Sequence, residues 1–97
     1  MKKKKMKIEG TQQGYSVATG NFDITKKASR QAVKFAGTLD GLVCAIDCYP
    51  QGLLWIFDTL NNAKGARNLM NSKGIVTGNN ICEVIYDEKG LIKAKPM

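Results

Sequence analysis

The side chains best able to do chemistry in this sequence are basic, and they fall into two groups. Five lysines stand within the first seven residues. A second group of four follows with no acidic residue among them: Lys26, Lys27, Arg30 and Lys34. Lysine and arginine neutralise phosphates, and five such contacts would give the binding constant a log–log salt slope of about −4.5. The pattern favours a polyanionic partner such as nucleic acid, although a solvated basic surface has the same composition.

Groups suited to catalysis or metal binding are scarce. The sequence has no histidine, which is the commonest general base and the commonest metal ligand. Its three cysteines, Cys44, Cys48 and Cys82, lie among apolar neighbours and form no CxxC pair, which favours free thiols in the core of a cytosolic protein. We therefore expect a non-enzyme without metal or cofactor. The alternative is an enzyme subunit whose active site a partner completes.

Length and charge indicate one small domain with a basic tail. The chain has 97 residues, 43% of them hydrophobic, and a net charge of +7. Five of its 15 basic residues lie in residues 1–7, so residues 8–97 carry ten basic and eight acidic side chains. We expect a flexible lysine-rich tail over 1–7 and a single α+β domain over 8–97.

The apolar runs are too short for export or for membrane insertion. The longest, residues 42–46 and 53–57, hold five residues each. A signal peptide needs about 7–15 apolar residues, and a membrane-spanning helix needs about 20. The residues that follow the lysine run are polar. We therefore expect a soluble cytoplasmic protein with no membrane partner.

Alternating apolar residues predict two hairpins. Their strands are residues 42–49 with 53–58, and residues 81–87 with 91–95. The turns Pro50-Gln51-Gly52 and Glu88-Lys89-Gly90 join them, and the first three-residue loop sets Tyr49 opposite Leu53. The faces expected to form the core hold Cys44, Ile46, Cys48, Leu54 and Ile56, and then Cys82, Val84, Tyr86, Ile92 and Ala94.

Residues 25–37 permit two interpretations. At 100° per residue, the apolar side chains collect on one side and the four basic ones on the other, which favours a helix. Val33 fits this helix poorly. The competing interpretation is a strand over Gln31–Leu39 that turns at Asp40-Gly41 into the first hairpin. We favour the helix.

The remaining elements complete an α+β order. Residues 60–73 form an amphipathic helix capped by Asp58 or Thr59, and residues 15–19 form a short first strand. The predicted fold is a ferredoxin-like βαββαβ order with an extra C-terminal strand. Its antiparallel sheet carries two helices on one face and leaves the other face open.

The open face of this sheet would combine aromatic and basic side chains: Tyr49, Trp55, Phe57, Lys93 and Lys95. RNA-recognition sheets stack bases on such aromatic residues. The strand motif of that family is poorly matched, because only Gly52, Trp55 and Ile56 fit it. Burial of the aromatic residues in a core or an interface is the competing interpretation, and a one-residue slip of the hairpin would turn Trp55 inward.

Two functional hypotheses follow. The first is a non-enzymatic module that contacts nucleic acid or a nucleoprotein through Lys26, Lys27, Arg30, Lys34, Lys93 and Lys95. The second is a protein-interaction module that uses Tyr49, Trp55 and Phe57. It would act as a homodimer, an adaptor or an inhibitor of a larger machine, and its small size would suit a phage or mobile-element protein that blocks a nucleic-acid-guided defence.

Overall fold

Six β-strands in one curled sheet form the framework of the part of the chain that the structure describes. The computed structural model describes residues 9–20, 22–34, 39–75, 77 and 81–96, so the predicted tail over 1–7 lies outside it. In chain order the elements are β1 (Gln12–Ala18), β2 (Arg30–Lys34), β3 (Leu42–Tyr49), β4 (Gly52–Phe57), α1 (Leu60–Ser72), β5 (Cys82–Asp87) and β6 (Gly90–Pro96). The strand order is β2-β3-β4-β1-β5-β6, and all neighbours are antiparallel.

The predicted ferredoxin-like fold is wrong, because the described residues form one helix on a half-barrel sheet. The error lies in the predicted helix over residues 25–37, because its described part, residues 25–34, consists of an irregular segment that leads into β2. Strand alternation packs Val33 against the core and leaves Lys34 exposed, whereas a helix would place Val33 among basic residues. Pairing with β3 also satisfies backbone groups that an open edge would leave unpaired. The competing strand over Gln31–Leu39 is closer, although residues 35–38 lie outside the described residues.

The concave face of the curled sheet holds the main core. Its buried members are Cys44, Ile46, Cys48, Leu54, Ile56, Cys82, Val84 and Tyr86, which confirms the core positions predicted for β3, β4 and β5. The prediction is wrong at Ile92, which is 54% exposed. A register shift between Ile85 and Tyr86 leaves Leu91 to pack against the core instead. Because a curled sheet buries this face largely against itself, the helix is left for the convex face.

Helix α1 packs on the convex face of β1 and β4. Thr59 caps its start, since its side-chain oxygen accepts the backbone N–H of Asn62 at 3.1 Å. Gly74 follows its end at φ +83°, in the left-handed region that favours glycine. The predicted helix over residues 60–73 is confirmed. The cluster between helix and sheet consists of Val17, Phe57, Ala63, Ala66, Met70 and Ile81.

The length of α1 bears on membrane insertion. The helix has 13 residues, about 20 Å at 1.5 Å per residue. In the described part of the chain, no helix is long and apolar enough to cross a lipid bilayer.

The β3–β4 hairpin differs from the prediction in register but not in its faces. Asp47 pairs with Leu53, whereas the predicted loop set Tyr49 opposite Leu53. The turn is tighter than predicted, because the N–H of Gln51 donates to the carbonyl of Cys48 at 2.8 Å. A shift of two residues leaves each side chain on its predicted face.

Alanine substitutions at two glycines should change the free energy of unfolding in opposite directions. A Cβ at Gly14 would lie 2.8 Å from Cγ2 of Ile56 and 3.1 Å from the carbonyl oxygen of Phe57, whereas one at Gly65 in α1 would meet nothing within 4 Å. We expect Gly14→Ala to lower the free energy of unfolding by about 1–3 kcal/mol. We expect Gly65→Ala to raise it by about 0.5–1 kcal/mol. Urea unfolding measures both, and changes of the same sign would contradict this packing.

Candidate nucleic-acid interface

The two edges of the sheet meet through the side chain of Gln31. In β2, Oε1 of Gln31 accepts the backbone N–H of Leu91 in β6 at 2.6 Å. The same side chain lies against Gly90, where a Cβ would collide with it. The strands β2 and β6 are not paired through their backbones. One amide therefore bridges a seam that no strand ladder closes.

Residues 22–28 lie along this seam and are held by Gln51. Oε1 of Gln51 accepts the N–H of Asp23 at 2.8 Å, and its Nε2 donates to the carbonyl of Asp23 at 3.0 Å. The hydroxyl and the N–H of Thr25 both donate to the carboxylate of Asp23 and lower its pKa. Three half-buried side chains of the segment pack against the concave core: Phe22, Ile24 and Ala28.

An open groove of about 430 Å³ runs between residues 22–28 and β6. We call it the seam groove. Its apolar side chains are Phe22, Ile24, Ala28, Cys48, Leu91, Ile92, Ala94 and Pro96. Its charged side chains are all basic and exposed: Lys26, Lys27 and Lys93. Two segments far apart in the chain thus bring three of the predicted phosphate-binding residues to one surface.

A fourth predicted residue, Arg30, stacks on Tyr49 on the sheet face opposite this groove. The two residues are register partners in β2 and β3, and the guanidinium carbon lies 4.4 Å from the centroid of the tyrosine ring. Tyr49 is 51% exposed. The neighbouring residues Gln31 and Cys48 line the seam groove. The stack therefore lies on the convex face of β2 and β3. The groove ends on the concave face of the same two strands.

The other two predicted phosphate-binding lysines have acidic neighbours. Nζ of Lys34 lies 3.6 Å from the carboxylate of Asp47. Lys95 is the register partner of Glu83 in β5. The predicted basic helix face is wrong, because the residues that it would collect are divided between an irregular segment and the convex side of a strand. Lys34 and Lys95 consequently contribute less free positive charge than the groove lysines.

The predicted aromatic surface is only partly exposed. Phe57 is fully buried in the cluster beneath α1, which corrects its assignment to a partner-binding face. Trp55 is half-buried against the same cluster, and Tyr49 is exposed. The physical reason is the curl of the sheet, which leaves α1 to cover the face that the prediction left open.

The three cysteines are free thiols in the interior. Burial raises the pKa of Cys44 to about 11, and it also raises the pKa of Cys48 and of Cys82. A thiol that stays protonated near neutral pH is a poor nucleophile and a poor metal ligand. Within the described ranges, no group of three His, Cys, Asp or Glu side chains could hold a metal ion.

Sequence reasoning missed the residues that build the seam groove. Gln31 and Gln51 make their contacts with residues far along the chain, and no local pattern marks an amide for such a role. One signal was available, since Phe22 and Ile24 stand at alternate positions just before the basic group. That spacing is typical of an extended segment with one buried side.

Comparisons of this chain with models of protein families, with curated proteins and with solved structures find no match. Its function must therefore be sought in the charge, burial and contacts of the described residues.

Removal of the Gln31 amide should loosen the seam. We expect Gln31→Ala to lower the free energy of unfolding by about 1–3 kcal/mol, because the part-buried N–H of Leu91 loses its partner. Urea unfolding measures the loss. Gln12→Ala is the matched control, since the exposed Gln12 amide donates to the nearby carbonyl of Glu9. An equal loss in this control would contradict the bridging role of Gln31.

The buried thiol of Cys44 should make stability fall at alkaline pH. Its pKa is raised from 9.0 to about 11, so between these values the unfolded chain loses a proton that the folded chain keeps. The free energy of unfolding then decreases as pH rises, by at most about 1.4 kcal/mol per pH unit for this thiol. Urea unfolding from pH 8 to 11 should show a shallower slope for Cys44→Ala, and an unchanged slope would contradict the shift.

Proposed function

We propose that this protein is a small non-enzymatic binding module that holds the phosphate backbone of a nucleic acid, free or within a nucleoprotein, along the seam groove. The observation that supports this proposal is the gathering of Lys26, Lys27 and Lys93 around one groove. Phosphate oxygens are natural partners for such a group of lysines. The apolar lining between them suits the sugars and bases of a nucleotide strand.

The charges of the seam groove are available to a ligand. Among the described residues, the ion pair joins Lys34 to Asp47 and involves no groove lysine. The carboxylate of Asp23 accepts two hydrogen bonds from Thr25 and is also attracted by Lys26, which offsets part of the charge of that lysine. Phosphate contacts by the three groove lysines and Arg30 would give a log–log salt slope of about −3.6 with duplex DNA. The three interior thiols support a reducing, cytoplasmic setting.

A protein-interaction module is the second candidate. Tyr49 is 51% exposed, and half-buried Trp55 lies on the same convex face. Such a module would act as a homodimer, an adaptor or an inhibitor of a larger nucleoprotein machine, as a phage accessory protein would. Light scattering of the free protein separates these forms: twice the chain mass supports the homodimer, and the mass of a single chain contradicts it.

Charge reversal tests the proposed groove. We expect the double variant Lys26→Glu/Lys27→Glu to bind a mixed-sequence oligonucleotide at least about tenfold more weakly, because two attractive phosphate contacts become repulsive. With a duplex probe the salt slope should also become less steep by about 1.8. Fluorescence anisotropy across a salt series measures both quantities.

The controls separate the groove from general electrostatics. Lys64→Glu/Lys73→Glu changes the net charge equally, at exposed positions that do not line the groove. A further control replaces the tail lysines with glutamine: Lys2, Lys3, Lys4, Lys5 and Lys7. Equal losses in the two double variants would contradict a groove site. Undiminished binding by Lys26→Glu/Lys27→Glu would contradict it as well, and binding lost only with the tail lysines would assign the contact to the tail.

A further inference from the structure

We infer that the ligand of the seam groove is single-stranded nucleic acid, one unpaired base of which stacks on the Arg30–Tyr49 pair. This inference rests on the proposed function and adds the form of the nucleic acid and the residues that recognise it. A duplex offers its phosphates and its base edges, but its base faces are covered by their neighbours in the stack. An unpaired base offers a free face.

The Arg30–Tyr49 pair has the geometry of a stacking platform. The guanidinium carbon lies 4.4 Å from the ring centroid and so covers one face of the ring, while 51% of Tyr49 remains exposed. Bases stack on aromatic rings and on guanidinium planes alike. Tyrosine and arginine held against each other lose less side-chain freedom when a base arrives, because each already restrains the other.

Arg30 also has N–H groups that are available for hydrogen bonds to a ligand. Within the described residues it makes no ion pair with a carboxylate, and its guanidinium carbon lies over the ring of Tyr49. The N–H groups at the edge of the guanidinium plane can therefore donate to a phosphate while the plane stacks. One side chain can thus hold a base and the phosphate next to it.

The platform is built on residues adjacent to groove residues but on the opposite face of the sheet. Arg30 precedes the groove residue Gln31, and Tyr49 follows the groove residue Cys48. A strand whose phosphates contact the groove lysines must therefore bend around the edge of β2 to bring an unpaired base onto the platform. The apolar groove lining would meet the sugars and bases that precede it.

Three oligonucleotides of one length test this inference with the full chain. The first is single-stranded with mixed bases, the second is the corresponding duplex, and the third is a single strand of abasic sites that keeps every phosphate. Anisotropy titrations at one salt concentration compare them. We expect the normal single strand to bind roughly 5- to 100-fold more tightly than the abasic strand, which is the range that one stacked base accounts for.

Variants assign the preference to the platform. We expect Tyr49→Ala to reduce the preference for bases while leaving affinity for the abasic strand unchanged. Arg30→Lys keeps the charge but removes the plane, so the preference should fall with little change in the salt slope. Leu69→Ala on α1 is the matched control, because it removes a comparably exposed side chain (43%) that does not line the seam groove. Circular dichroism checks that each variant is folded.

The outcomes distinguish this inference from the proposed function. Equal binding of normal and abasic strands would overturn the stacking inference and leave the groove as a phosphate site. A loss in Tyr49→Ala that is the same for all three probes would also overturn it, since that pattern indicates a structural role. If the normal chain binds none of the probes, both proposals fail.

Discussion

The rest of the structure depends on the curl that brings the two edges of the sheet together at Gln31 and Leu91. The curl lets the concave face enclose a core of side chains from β3, β4 and β5 with little help from a helix. It also leaves the convex face of β1 and β4 for α1. The two edges meet through one side-chain amide instead of a ladder, so the sheet stays open along a seam. The seam groove is a consequence of that incomplete closure.

Burial on both faces explains the composition of β4. Its residues Leu53–Phe57 are apolar without interruption, and alternate members face the concave core and the cluster under α1. A strand with one wet face would alternate apolar and polar residues. An unbroken apolar run is therefore typical of a strand that is buried on both faces. Phe57 belongs to this run and is buried beneath α1. In this small domain of 97 residues, one strand contributes apolar side chains to two hydrophobic clusters.

The arrangement of charge gives the seam groove its chemical character. Residues 8–97 carry ten basic and eight acidic side chains, so composition alone predicts a nearly neutral domain. The structure separates these charges. Carboxylates are engaged by their neighbours, as Asp23 is by Thr25 and Asp47 is by Lys34, whereas the charged lining of the groove is wholly basic. A modest net charge is compatible with a strong local field when one sign is concentrated beside an apolar wall.

The sequence by itself determined the elements whose signals are local. These are the two hairpins, the core face of the first, the helix over residues 60–73 with a cap at Asp58 or Thr59, and the buried free cysteines. Only the tertiary structure decided the state of residues 25–34, because a helix and a strand satisfy their local pattern almost equally and the open edge of β3 selects the strand. It also decided which face α1 covers and which lysines share a groove. The groove depends on long-range contacts of Gln31 and Gln51, and a hydrogen bond between distant residues leaves no periodic trace in a sequence.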